Sequence, residues 1–373
     1  MQGWCPGALR PMMSGDGLVV RVRPPGGRLS AAQAAGLAAA AREFGSGLID
    51  LSARANVQLR GVREDGYRAL VDALRALGLV DADATLEARR NIVVSPFATP
   101  AEDALAAALA RALAAGPALP GKFGFAVDTG ATRVLADVSA DIRLERGAGG
   151  GVILRCDGAA LGAPVAAGEA AARAVALARW FVDAGGVVHG RGRMAALVAR
   201  GVLPGGAFSG SEAPVAAGVV PVPGLVVQGV LVGAAFGQLE AGTLGALAGL
   251  GDMRVTPWRM VLVEGLRALP DLPGLITDAE DPLRRVEACT GAPGCVQAHA
   301  PVRALARRLA AQVPDGKRLH VSGCAKGCAH PRRADVTVVA TPAGFDLVRD
   351  GRAGDTPERR GMRAEDVSLA GEV

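Results

Sequence analysis

The stretch His320-Val321-Ser322-Gly323-Cys324-Ala325-Lys326-Gly327-Cys328-Ala329-His330-Pro331 sets two cysteines in a C-x3-C turn, directly after a short alternating segment from Arg318 to Ser322. Upstream, Cys289-Thr290-Gly291-Ala292-Pro293-Gly294-Cys295 forms a C-x5-C turn. Four thiolates brought together can hold a [4Fe–4S] cluster, and the glycines and proline beside them let the backbone turn tightly around a bulky inorganic core. Cys289, Cys295, Cys324 and Cys328 are therefore the expected metal ligands, and the chain reads as a redox protein. Two plainer readings compete. A structural zinc site pairs cysteines across about two to four residues, which the first pair fits poorly. Four unrelated buried thiols would rarely fall into two glycine-flanked pairs.

Outward from the cysteines, the chain repeats itself. Leu18-Val19-Val20-Arg21-Val22 reads as a strand, and Gly27-Arg28-Leu29-Ser30-Ala31-Ala32-Gln33 opens a helix with Ser30 as N-cap and Gln33 completing a capping box. Strands follow at Leu48 to Leu51 and Asn56 to Val62. The same order returns 210 residues later, where Val230-Leu231-Val232 and Gly237-Gln238-Leu239-Glu240-Ala241 precede a shorter helix and two more strands. Ser52 pairs with Thr256, Val57 with Val261 and Gly61 with Gly265. A β-α-β-β unit present twice, each copy followed by a longer mixed segment, predicts an α+β protein with pseudo-two-fold symmetry.

Between the units, Tyr67 to Leu77, Pro100 to Ala115 and Glu169 to Ala184 have helical periodicity, as does the basic segment Pro301 to Gln312. Phe123 to Asp128, Arg133 to Val138, Val152 to Cys156 and Asp335 to Ala340 read as strands. The Pro/Gly/Ser-rich stretch Pro204 to Pro223 marks a boundary. Pro214 to Gly237 is almost uncharged, but its prolines and glycines favour a linker running into a buried strand over a membrane span.

Composition sets further bounds. With 373 residues there is material for two or three cores, and with only 3% aromatics those cores must be built from Ala, Val and Leu. Six cysteines, four in cluster spacing, fit a reducing cytoplasm, and Met1-Gln2-Gly3-Trp4-Cys5-Pro6 has no charged segment leading into an apolar run. The net charge of +5 comes mainly from arginine, whose planar fork suits carboxylates and phosphates. No basic run with interleaved aromatics points to nucleic acid; a small polyanion is the expected ligand.

The duplicated unit together with C-x5-C and C-x3-C resembles the nitrite/sulfite reductase family. That resemblance implies two ferredoxin-like half-domains (1–78 and 225–275), a mixed tetrapyrrole-binding domain (79–203), a linker (204–224) and a cluster-binding domain (276–373). More closely, Gly3-Trp4-Cys5-Pro6-Gly7-Ala8-Leu9 and the His320 to Pro331 motif resemble the precorrin-3B synthases of that family. The resemblance implies a [4Fe–4S] cluster, a mononuclear non-haem iron of unknown ligands, and a reductant such as NADH acting through an electron-donor protein. It implies O2-dependent hydroxylation of precorrin-3A at C20 with γ-lactone formation. Under the alternative of a nitrite or sulfite reductase, sirohaem would be bound; a third possibility is an iron–sulfur carrier or tetrapyrrole-binding protein without turnover.

The reductases carry an Arg in a strand of the first repeat and two Lys at alternate positions, all presented to the bound anion. Here Arg54 and Lys122 are kept, but the second Lys position is Gly124. Losing one of two cations weakens the case for anion reduction, and the space would suit a bulkier substrate. The candidates for pairing substrate carboxylates are Arg54, Arg60, Arg90, Lys122 and Arg259, with Asn91 as a polar neighbour. His330 and Lys122 are the candidate catalytic groups, His330 as iron ligand or proton donor beside the cluster motif. His299 and His320 flank the cysteines, His189 reads as a loop residue, and Cys5 and Cys156 as structural thiols.

Overall fold

The structure, a computed structural model, describes residues 6–371. The first repeat comprises β1 (Met12–Ser14), β2 (Gly17–Val22), β3 (Arg28–Leu29), α1 (Ala31–Phe44), β4 (Leu48–Leu51) and β5 (Val57–Val62). After α2 (Tyr67–Ala76) and α3 (Ala84–Arg89), a mixed unit contains β6 (Ile92–Val94), α4 (Pro100–Leu113), β7 (Phe125–Asp128), β8 (Ile142–Arg146), β9 (Val152–Cys156), β10 (Ala163–Val165), α5 (Ala170–Asp183) and α6 (Met194–Ala199). The second repeat comprises β11 (Gly224–Val226), β12 (Gly229–Ala234), β13 (Gln238–Glu240), α7 (Ala241–Ala248), β14 (Met253–Val255), β15 (Met260–Glu264) and β16 (Leu275–Ile276). The last unit comprises β17 (Val286–Ala288), α8 (Arg303–Ala310), β18 (Leu319–Ser322), β19 (Ala334–Thr341), β20 (Gly344–Gly351) and β21 (Arg359–Met362).

The two repeats exchange strands. One sheet has the order β1-β2-β5-β4-β13 and the other β11-β12-β15-β14-β3, with β16 also against β12. Thus β3 of the first repeat completes the second sheet, and β13 of the second completes the first. Alternation aims Val20, Val22, Val57 and Leu59 from one sheet, and Val230, Val232, Val261 and Val263 from the other, into a single core shared with α1 and α7. Ser30 and Gln33 form the expected capping box. The helices account for the drift in the repeat. Gly27 and Gly237 stand 210 residues apart but Ser52 and Thr256 only 204, and α7 has 8 residues where α1 has 14.

The equivalence reaches individual hydrogen bonds. The Ser52 N–H donates to the Asn56 carbonyl at 2.9 Å, as the Thr256 N–H does to Met260 at 2.9 Å. The Ser52 and Thr256 hydroxyls accept the Asn56 and Met260 N–H groups at 3.1 and 3.2 Å. The mixed sheets match with a constant offset of 194: β6, β7 and β8 run parallel as do β17, β18 and β19, and each set is extended by two antiparallel strands. The Gly124 N–H donates to Asp141 and the Arg318 N–H to Asp335, both at 2.9 Å. One feature is reversed between the copies. Asp50 faces Arg60 on the first sheet at 3.7 Å, whereas at the matching positions Arg254 faces Glu264 at 2.8 Å. Asp50 also meets Arg303 of α8 (3.7 Å), and Arg254 meets Asp103 of α4 (2.6 Å).

The expected strand at Arg133 to Val138 is a turn, and the strand lies instead at Ile142–Arg146. Polar side chains take the backbone groups that a ladder would use: Asp128 accepts the Leu135 N–H at 2.6 Å, and Arg143 donates to the Leu135 and Val138 carbonyls at 3.0 and 2.6 Å. No helix among the described residues is long and apolar enough to cross a membrane, and Pro214 to Gly237 runs as coil into β11 and β12.

Asp128 ends β7 at 1% exposure, and its Oδ1 has no hydrogen-bond partner. Burial pushes its pKa from 3.8 up to about 6, reinforced by Glu145 and Glu102. The folded state therefore holds a proton that the unfolded chain releases, so stability falls as pH rises from about 4 through about 6. Thermal melts across this range should show Asp128→Asn flattening the profile and raising the midpoint near neutral pH. An unchanged profile would show that Asp128 does not titrate in the fold.

Candidate redox site

Ala288 of β17 lies beside Val321 of β18 in a parallel pair, so the carboxyl ends of two neighbouring strands deliver Cys289 and Cys324 to the same edge. The Gly323 N–H donates to the Cys289 Sγ at 3.1 Å, and the His299 N–H donates to the Gly323 carbonyl at 2.8 Å, tying the two turns together. A Cβ on Gly323 would lie 2.7 Å from that of Ala298 and 3.4 Å from the Cys289 sulfur, so glycine permits the approach. Burial pushes the Cys328 thiol up; Lys326 pulls it down, and Cys324, Cys289 and Cys295 push it up again. A backbone donor to sulfur and a glycine cradle between the two cysteine turns suit an iron–sulfur cluster. Among the described residues no three His, Cys, Asp or Glu side chains gather closely enough to hold a single metal ion, so the structure offers no ligand set there for the expected mononuclear iron.

The first repeat supports this site. The Ser14 hydroxyl donates to the Gly294 carbonyl at 2.5 Å, and Arg60 donates to the same carbonyl at 2.9 Å while facing Asp16 at 3.2 Å. From α8, Arg303 donates to the Cys289 carbonyl at 3.2 Å. Arg60 was expected at substrate. It is instead 6% exposed and holds the cysteine turn, because its acidic partners and Gly294 surround the guanidinium. Neither Arg303 nor the Ser14 contact has a local sequence signal: their partners lie 14 and 280 residues away.

The expected anion-binding residues divide into two groups. Arg54, half-buried, donates to the carbonyl of Lys122 at 2.9 Å, and Lys122 itself is exposed, so these two are brought together. Arg90 instead makes two 2.8 Å bonds to Asp81 and a third to the Arg23 carbonyl, which neutralises and holds it. Asn91 is buried and donates to the Phe123 carbonyl at 2.8 Å. Its Nδ2 lies 2.7 Å from where a Gly124 Cβ would be. The space expected at Gly124 for a larger substrate is therefore filled by Asn91. Arg259 sits in the second repeat with φ 59°, paired with Glu287 at 3.1 Å, and lines a cavity of about 320 Å³.

His330 lies half-buried after the cysteine turn, with Nε2 3.1 Å from the Arg333 carbonyl, an acceptor only, so that nitrogen carries the proton. Its ring meets His320 edge-on at 5.8 Å. His320 is fully buried, neither ring nitrogen has a hydrogen-bond partner, and burial, with His330 adding, lowers its pKa to about 4. His189 is exposed in a turn, as expected, and His299 is exposed. Cys156 is a buried thiol, pushed by burial up to about 11. Cys5 lies outside the described residues.

Residues 10–77 match the family description Nitrite/Sulfite reductase ferredoxin-like half domain. The whole fold is similar to that of the Mycobacterium tuberculosis NirA protein, with a TM-score of 0.68 at 20% identity over 94% of this chain and 78% of that one. Along its sequence the chain is 32% identical to a curated precorrin-3B synthase from Sinorhizobium sp, covering 95% of this chain and 84% of the relative. A duplicated fold with convergent cysteine turns and an identity of that extent lead to one assignment: the chain belongs to the precorrin-3B synthase family.

Proposed function

We propose that this chain is an oxidoreductase that hydroxylates precorrin-3A at C20 with O2 and closes a γ-lactone from the ring-A acetate. The observation that carries the reading is the 32% identity to a precorrin-3B synthase across almost the full chain. The local chemistry supports it. A precorrin carries acetate and propionate groups, and Arg54, which donates to the backbone carbonyl of the exposed Lys122, offers a fork on the same stretch of surface as a lysine. The repeat gives further support for where they face. Phe97 stacks on Trp258 at 6.4 Å, and the offsets of 194 and 204 relate this pair to Gly291 and Arg54. Arg54 would then look towards the cysteine turn.

Cys289, Cys295, Cys324 and Cys328 would hold a [4Fe–4S] cluster, which when bound supplies single electrons. Monooxygenation sends one oxygen atom to the product and the other to water, consuming two electrons and two protons. The electrons need an external reductant, for which we propose NADH acting through a donor protein in the cytoplasm. Lys122 and Arg54 orient the macrocycle by its carboxylates. His330, with its Nε2 proton held by the Arg333 carbonyl, presents Nδ1 as a proton acceptor. The second cation that an anion reductase would use is absent at Gly124, and Asn91 occupies the place.

Anaerobically purified protein should show broad iron–sulfur absorption, yield no extractable sirohaem, and convert precorrin-3A in the presence of O2 to a product heavier by one oxygen atom. Stoichiometric sirohaem with nitrite or sulfite turnover would overturn the reading in favour of a reductase, and binding without O2 consumption would make it a carrier. Cys324→Ser should abolish the cluster absorption. Arg54→Ala and Lys122→Ala should leave it intact while weakening substrate binding roughly 10-fold, the scale of a charge-assisted hydrogen bond. Gly124→Lys should destabilise the fold by about 1–3 kcal/mol through overpacking against Asn91, and Asn91→Gly in the same chain should recover part of the loss. A Gly124→Lys protein that melts like the parent would show that Asn91 yields the space.

A further inference from the structure

The cavity beside Arg259 has no role in the proposed reaction. It holds about 320 Å³, near the lower end of the range for small-molecule sites, and suits a compact molecule better than a macrocycle. Three arginines line it, Arg259, Arg284 and Arg318, with one acidic residue, Glu287. Glu287 accepts from Arg259 at 3.1 Å and from Arg318 at 3.4 Å, standing between the two as an internal counter-ion. Arg284 donates to the Ala279 carbonyl. Trp258, Met260 and Ile276 give the remaining wall an apolar face.

The repeat explains why the space is open here. With the offset of 194, Arg284 stands where Arg90 does, Arg285 where Asn91 does, and Arg318 where Gly124 does. In the first mixed unit Asp81 neutralises Arg90, and Asn91 fills the position next to Gly124. In the second, Arg285 turns away to Asp315 at 2.6 Å and the Val313 carbonyl at 2.7 Å, leaving room in front of β18. The backbone frame is the same, but the second copy has gained cations where the first has been filled and neutralised.

We propose that this cavity is a second ligand site, taking a small flat molecule that carries oxyanion groups, either carboxylate or phosphate. The apolar wall beside Trp258 receives the body, and the forks of Arg259, Arg284 and Arg318 receive the charges, displacing Glu287 from Arg259 and Arg318 and the Ala279 carbonyl from Arg284.

Isothermal titration of the full-length protein, with the metal content it retains on purification, tests this with phthalate and phenyl phosphate as probes. Saturable binding of one probe per chain is expected, weakened at least 10-fold in Arg318→Gln and in Arg284→Gln and tightened several-fold in Glu287→Gln. Tighter phthalate assigns a carboxylate ligand and tighter phenyl phosphate a phosphate ligand. Gly233→Val offers a route that leaves every charge in place. A Cβ there would meet Ile276 and Pro223 at ordinary contact distances of 3.5 and 3.6 Å, so the added side chain should block binding without unfolding the sheet. The proposal fails if neither probe saturates at millimolar concentration, or if binding survives both arginine changes. It also fails if Lys122→Ala removes the binding, which would put the ligand at the first-repeat site.

Discussion

The exchange of β3 and β13 between the two repeats is the constraint on which the rest of the molecule depends. Each central sheet is complete only with a strand from the other half, so the two halves bury a common core and cannot slide past each other. This fixes the pseudo-two-fold relation, and with it which mixed unit covers which sheet. The cysteine turns then come to rest against the first sheet, where Ser14 and Arg60 reach Gly294. Two cysteine turns on loops would otherwise have little to hold their geometry; here they are pinned from a second sheet.

Much of the frame was legible in the sequence because it is carried by local patterns. The capping box at Ser30 and Gln33, the alternation from Val57 to Val62 and the spacing of the four cysteines are all short-range signals. The roles of the arginines were not, because whether a guanidinium faces a ligand depends on which acids the fold brings to it. Arg60 is committed to Asp16 and to a carbonyl 234 residues away, and Arg90 to Asp81. Gly124 was misjudged for a similar reason: the absent side chain is visible in the sequence, but the neighbouring Asn91 that fills its place is not. The strand expected from Arg133 to Val138 failed because Asp128 and Arg143 capture its backbone groups. The offset of 194, by contrast, could have been found by aligning the two mixed segments, and would have drawn attention to Arg284 and Arg318.

The copies have diverged by specialising. The carboxyl ends of β17 and β18 carry the cysteines, whereas the matching ends of β6 and β7 carry Ser95 and the buried Asp128. At the opposite ends of the same strands, the first copy keeps Arg54 beside Lys122, and the second has its arginine cavity. One backbone plan therefore carries different side chains at each of its four related edges, with the paired cysteine turns at only one of them.

The reversed ion pairs on the two sheets also bear on how the chain assembles. Asp50 on the first sheet meets Arg303 of the cysteine-bearing unit, while Arg254 on the second meets Asp103 of the other mixed unit. If the mixed units docked on the opposite sheets, Asp50 would lose Arg303 and Arg254 would lose Asp103, leaving each without the opposite charge it now meets across the junction. Two halves with nearly superposable backbones run a constant risk of pairing in the wrong order as they emerge and fold. The opposite polarity of the two pairs favours the observed arrangement, in which each sheet meets the mixed unit that carries its complementary charge.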